Sequence, residues 1–246
     1  MPSYVVVGAS RGLGYQWLKT LSADKDNVVI GLVRTPAPVH DKLAADGIKN
    51  IHLLQADLVD NQSLTAAASE VSKLTGGSVD YLIVNAAYQN HKAASLTPTS
   101  FIGQEDVLVK EMRQYLDVGV IGVIQTINAF LPLIRKSATK KIIAISSGMA
   151  DFDFVGKAEI AFGVSYGATK AALNLVIIKY GIELKDEGVV VLALSPGLID
   201  TREEPPTEDE IAGFLVLLKK FQAIYPNFSG PISAEESREV LVPPRK

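Results

Sequence analysis

The chain is expected to fold as one α/β domain over residues 1–246, a doubly wound parallel sheet flanked by helices. Two observations predict this class. Apolar, β-branched runs alternate with helical patterns along the chain. The residues that carry chemistry (Gly8, Arg34, Asp57, Asn85, Ser147 and Pro196) each end or follow such a run, where open parallel sheets hold their ligands. The runs 4–7, Val28–Val33, Ile51–Gln55, Tyr81–Val84, Lys141–Ser146 and Val189–Ser195 are continuously apolar, as expected of strands covered on both faces. Helical patterns lie near Ser63–Leu74, Glu105–Arg135 and Tyr166–Glu187, and again at Ile211–Tyr225 and Ser233–Glu239.

The first run leads into Gly8-Ala9-Ser10-Arg11-Gly12-Leu13-Gly14, after which Trp17, Leu18 and Leu21 recur at helical spacing. A strand, a glycine turn and a helix N-terminus together suit a pyrophosphate: glycines admit close backbone approach, and the free N–H groups and helix dipole favour an anion. The second strand ends Leu32-Val33-Arg34-Thr35, with no acid to take the ribose hydroxyls of NAD. Arg34 and Arg11 instead offer guanidinium forks that suit the 2′-phosphate of NADP.

Further along, Tyr166 and Lys170 stand one helical turn apart, so phenol and ammonium share a face. A phenol titrates near ~10, and a neighbouring ammonium is expected to lower that value and tune an acid/base. Ser146 and Ser147 precede them; strand alternation points the two serines to opposite faces, and Ser147 is the one expected in the site.

In this order, from about residue 3 to Thr201, the glycine turn, Asn85-Ala86, Ser147, Tyr166 with Lys170, and Pro196-Gly197 resemble the short-chain dehydrogenase/reductase family. Ile145-Ser146-Ser147-Gly148 and the stretch 228–237 are most similar to its carbonyl-reductase, sniffer-like branch. The resemblance implies a Rossmann-type domain that moves hydride between NADPH and a ketone or aldehyde. It assigns catalysis to Ser147, Tyr166 and Lys170, with Lys170 also bonding the nicotinamide ribose. Cofactor contacts would come from Gly8, Ser10, Arg11, Gly12, Leu13, Gly14, Arg34, Asp57, Leu58, Asn85, Ala86, Tyr166, Lys170, Pro196, Gly197, Ile199 and Thr201.

Two departures from the family pattern stand out. Gly119 in Val118-Gly119-Val120-Ile121-Gly122 replaces an Asn that anchors a relay water, and water is expected to fill the vacated space. On that view Gly119→Asn leaves activity unchanged or raises it. The substrate-loop and C-terminal segment, residues 202–246, is short, and only Val240-Leu241-Val242 could supply a last strand, so the sheet is expected to end early. These departures favour a rival reading, a non-catalytic NADP-binding sensor or interaction protein on the same fold.

Composition narrows the remaining classes. A net charge of -3 with interspersed signs gives no basic stripe for nucleic acid. With no cysteine there is neither disulfide nor thiolate zinc site, and His40, His52 and His91 lack ligand spacing, so no metal is expected. The stretch Val118–Ile134 carries Gln125, Thr126, Asn128 and Pro132, which argues against a membrane span, and the start has no signal-peptide shape. The expected setting is cytoplasmic, with a homodimer left open. Phe152, Phe154, Val155, Ile160 and Phe162, with Tyr88 and Phe214, are candidates to line an apolar substrate pocket, or else are packed loop residues.

Overall fold

The computed structural model describes residues 1–90, 94–200 and 208–241, with only the backbone described at 200, 208–210, 212–214 and 238–241. Six parallel strands form the sheet: β1 (Ser3–Val7), β2 (Val28–Val33), β3 (Ile51–Gln55), β4 (Tyr81–Val84), β5 (Lys141–Ile145) and β6 (Val190–Leu194). Their order is β3-β2-β1-β4-β5-β6, so the order in which strands are added reverses between β1 and β4. That reversal opens a crevice at the carboxyl ends of the two central strands.

The helices up to residue 183 are α1 (Gly12–Ser22), α2 (Pro36–Ala45), α3 (Asn61–Leu74), α4 (Glu105–Leu116), α5 (Gly122–Ile134), α6 (Phe152–Lys157) and α7 (Val164–Glu183). A single π turn, Asp117–Ile121, joins α4 to α5 without a break, and Gly119 sits in it. One core packs Leu82, Val84, Ile127, Phe130, Ile134, Ile142 and Leu173 on one face of the sheet. A second packs Val6, Trp17, Leu18, Val29, Val33 and Ile83 on the other. The central strands β1, β2 and β4 are therefore covered on both sides, as their unbroken apolar sequences require. The outer strands are less covered than that rule predicts: Val190 and Leu192 of β6 are 44% and 49% exposed.

Among the described residues the sheet ends at β6, as expected. Val240 and Leu241 belong to a helix, α9 (Ala234–Leu241), rather than a strand, and Val242 lies outside the described residues. After β6 the chain forms β7 (Ile199–Asp200), then α8 (Glu208–Ile224), and β8 (Ile232–Ser233) pairs in parallel with β7. The helix α9 returns to pack beside α1, and its Ser237 hydroxyl donates to the Pro196 carbonyl at 2.8 Å. The helix running through Glu105–Ile134 is long and apolar enough to cross a membrane by length and composition. Here it is a core helix, with Ile127, Phe130 and Ile134 fully buried.

Candidate active site

The glycine turn is a close-packed joint between the two halves of the sheet. Gly8 has φ +79°, and a Cβ there would fall 2.5 Å from the Ala86 backbone. The Asn85 side chain donates to the Gly8 carbonyl at 3.0 Å, and the Asn85 and Ala86 N–H groups both donate to the Val7 carbonyl. Asn85-Ala86 thus braces the glycine turn from the neighbouring strand. No side chain caps α1, and its first turn carries no acid, so its N–H groups remain available to an anion. Leu13 is buried in the core beneath the turn.

Two cavities flank Arg34. One, of about 330 Å³, is lined by Ser10, Arg11, Arg34, Thr35, Pro38, Val39 and Lys42. The other, of about 300 Å³, is lined by Arg34, Gln55, Ala56, Asp57, Asp60, Ser63 and Ala66. No carboxylate lines the first, and no salt bridge among the described residues engages Arg11 or Arg34. Asp57 borders the second cavity, whereas Leu58 buries its side chain against Gly122 of α5. Lys42 was not legible as a site residue, because only the fold of α2 brings it beside Arg34.

At the end of β5 the two serines separate as alternation requires. Ser146 is buried and donates to Asn174 Oδ1 at 2.6 Å, while Ser147 is half-buried and caps the next turn by accepting from the Met149 N–H. The Ser147 hydroxyl neighbours the Tyr166 phenol and acts on its proton. Lys170 is 4% exposed, and its ammonium donates to the Ile145 carbonyl at 2.6 Å, 5.9 Å from the Tyr166 ring centre. The structure thus brings Ser147, Tyr166 and Lys170 together. Pro196 and Gly197 (φ +87°) lead into β7, which contains Ile199; Thr201 lies outside the described residues.

The electrostatics reverse one expectation. Burial raises the Tyr166 phenol above its usual value, with the Ser147 hydrogen bond opposing it. Lys170, expected to lower that phenol, is itself pushed down to about 8 by burial. The cost of desolvating a charge sets the direction for both groups in this pocket.

This has a measurable consequence for stability. The folded value of Lys170 lies below its unfolded value of 10.5, so the unfolded chain holds the proton more tightly between those two values. The charge penalty is therefore full below pH 8 and fades as pH rises toward 10.5. It amounts to about 3 kcal/mol, and the hydrogen bond of the charged ammonium to Ile145 offsets about 1.5–3 kcal/mol of it. The stability of Lys170→Met relative to the parent is expected to be greatest at pH 7 and to fall as pH rises through that window in paired urea titrations. A difference between the two chains that does not change with pH would contradict the buried-charge account.

The Gly119 position also corrects an expectation. It is not a vacated space: a Cβ there would stand 2.5 Å from the Thr169 methyl, one residue before Lys170. The Thr169 hydroxyl is buried with no hydrogen-bond partner. Gly119→Asn is therefore expected to strain the packing of the π turn on α7 rather than restore a relay at no cost. Gly119→Ala should lose about 1–3 kcal/mol, and Thr169→Ser in the same chain should recover much of it by removing the methyl. A melt in which the double variant is no better than the single one would refute this contact as the cause.

A third finding concerns aromatic rings. Phe154 packs on Phe221 and Tyr225, and Ile160 and Phe162 join the same small cluster. The packed-loop alternative holds for these residues; Phe152 is 83% exposed and the Phe214 side chain is outside the described residues. Tyr88 instead joins a ring series to the site. Its ring meets Tyr115 edge-on at 4.9 Å, and Tyr115 meets Tyr166 at 6.2 Å. Behind them Glu111, 3% exposed, accepts from the Asn90 side chain. Tyr115 and Glu111 gave no signal in the sequence beyond an ordinary helical face. Among the described residues no group of His, Asp and Glu could hold a metal ion.

A protein-family model described as short chain dehydrogenase matches residues 3–211. The chain belongs to that family. It is 44% identical over 243 residues to the short-chain dehydrogenase/reductase AacuF of Aspergillus aculeatus, with 96% of this chain and 89% of the relative covered. It is 40% identical over 240 residues to the short-chain dehydrogenase/reductase atnB of Arthrinium sp, with 96% and 89% covered. Among solved structures it is similar to the NADPH-bound carbonyl reductase from chicken fatty liver, with TM-score 0.70, 24% identity, and 89% and 87% of the two chains covered. It is also similar to the carbonyl reductase Sniffer of D. melanogaster, with TM-score 0.73, 20% identity, and 96% and 88% covered. At these identities the likeness to the solved structures establishes the fold. The family is thus an oxidoreductase family, and the extent predicted from the sequence agrees with the matched span.

Proposed function

We propose that this family member is an NADP-dependent carbonyl reductase acting on a ketone or aldehyde. The observation that carries the reading is the joining of Tyr166 to Ser147 at the end of β5, with Lys170 buried one turn along α7. The bound nicotinamide would supply hydride to the carbonyl carbon. Ser147 donates a hydrogen bond to the carbonyl oxygen and holds it as negative charge develops. Tyr166, kept protonated by its burial, gives its proton to that oxygen as general acid. Lys170 would hold a ribose hydroxyl of the nucleotide beside the phenol.

The choice of NADP rests on the cavity beside Arg34. Its lining offers Arg11, Arg34 and Lys42 and no acid, a donor set that suits a phosphate monoester better than two ribose hydroxyls. The chicken reductase is described as NADPH-bound, which supports the same choice.

The test has two steps. NADPH and NADH are titrated against the full chain by calorimetry, with quenching of Trp17, the sole tryptophan, as a second signal. Turnover is then measured with NADPH over a panel of aromatic and aliphatic ketones and aldehydes. Tight NADPH binding, much weaker NADH binding and turnover of one carbonyl class support the reading. NADPH binding without turnover on any carbonyl would favour the sensor alternative, which the filled space at Gly119 recommends. Absence of binding would sink both.

A further inference from the structure

We propose that Lys42 is a third cation of the 2′-phosphate subsite, carried over the cavity by Tyr15 of the glycine-turn helix. This rests on the NADP reading above and adds a residue that the glycine motif and the Arg34 position do not assign. Lys42 lines the same cavity as Ser10, Arg11 and Arg34, from α2. Its ammonium lies 4.5 Å from the centre of the Tyr15 ring, a cation held over an aromatic face.

Tyr15 is well placed to act as a platform. It follows Gly14 directly, is 5% exposed and packs in the core cluster with Leu13, Trp17 and Val39. Its phenol donates to Asp46 Oδ2 at 2.9 Å, and that carboxylate also pairs with Lys19 at 3.1 Å. The ring is thus fixed by the core on one side and by Asp46 at its tip. Burial and the Asp46 carboxylate push the phenol upward, so it remains a neutral donor.

Lys42 stands near charges of both signs. Asp46 lies one turn further along the chain and attracts it, but that carboxylate is already engaged by Lys19 and Tyr15. Arg11 and Arg34 line the same cavity, and their like charge opposes that of Lys42. A dianionic phosphate monoester placed among three cations relieves that repulsion, whereas the uncharged 2′-hydroxyl of NADH does not. Arg11 and Arg34 are exposed and free to swing, so the platform gives the site one cation whose position is tied to the helix that receives the pyrophosphate.

The test is calorimetric titration of NADPH and NADH against the parent, Lys42→Met, Lys42→Arg and Arg34→Ala, at low salt and at about 0.3 M salt. Lys42→Met is expected to weaken NADPH about fivefold at low salt and less at high salt, with NADH unchanged. Lys42→Arg should retain most of the affinity, and Tyr15→Leu, if it folds, should reproduce part of the loss for NADPH alone. The inference is overturned if Lys42→Met leaves NADPH unchanged while Arg34→Ala abolishes the preference, or if both nucleotides weaken equally. If Arg34→Ala also leaves the NADPH-to-NADH ratio unchanged, the NADP reading itself fails, which is a separate and recognisable result.

Discussion

Replacing Tyr166 by Phe is expected to lower turnover by roughly a hundred- to ten-thousandfold, the usual span for loss of a positioned general acid. Nucleotide affinity should stay close to that of the parent. The ring remains, so the edge contact with Tyr115 is kept and the fold loses only the polar contact of the phenol with Ser147. Tyr115 is a poor substitute donor, because it is 4% exposed and the Asn90 N–H holds its oxygen in place. The measurement is a single-turnover rate beside a calorimetric NADPH titration of the same preparation. Activity within a few fold of the parent would remove Tyr166 from the chemistry, whereas joint loss of rate and affinity would point to a structural role.

Gly14→Ala should have the largest structural effect in the chain. An added Cβ would stand 2.1 Å from the Gly8 carbonyl oxygen and 2.6 Å from the Asn85 side-chain nitrogen. Neither obstacle can turn aside, since one is backbone and the other is the brace that holds it. The expected cost is about 3 kcal/mol or more, together with loss of nucleotide binding, because opening this joint pulls the turn away from Asn85-Ala86. Gly181→Ala in α7 supplies the contrast. Nothing lies within 4 Å of its added Cβ, and alanine there should stabilise the helix by up to ~1 kcal/mol. Urea melts giving the two substitutions the same sign would show that local helix preference, not close approach, governs both.

The strands were legible because a strand buried on both faces must be apolar at every position, and 4–7, Val28–Val33 and Tyr81–Val84 are. The members of the Ser147, Tyr166 and Lys170 cluster were legible for a similar reason: strand end and helical spacing are short-range constraints. What escaped depends on packing between distant elements. No helical pattern was read at 36–45, where prolines 36 and 38 both sit in the first turn of α2 and the missing N–H costs nothing. That helix carries Lys42 to the cavity. The rise of the Tyr166 phenol likewise follows from burial, which spacing cannot report. Gly119 looked like a deletion because its occupant, the Thr169 methyl, comes from another helix fifty residues away.

The brace between Asn85 and Gly8 also has a history in time. Its two ends are 77 residues apart in the chain. At ~5–20 residues per second, synthesis leaves the newborn glycine turn without its support for roughly 4 to 15 s. During that interval β1 has β2 beside it but no β4 on its other side, so the centre of the finished sheet is for a while its border. A nucleotide that needs the braced turn cannot help the first half fold, and the pyrophosphate seat comes into being only with the second.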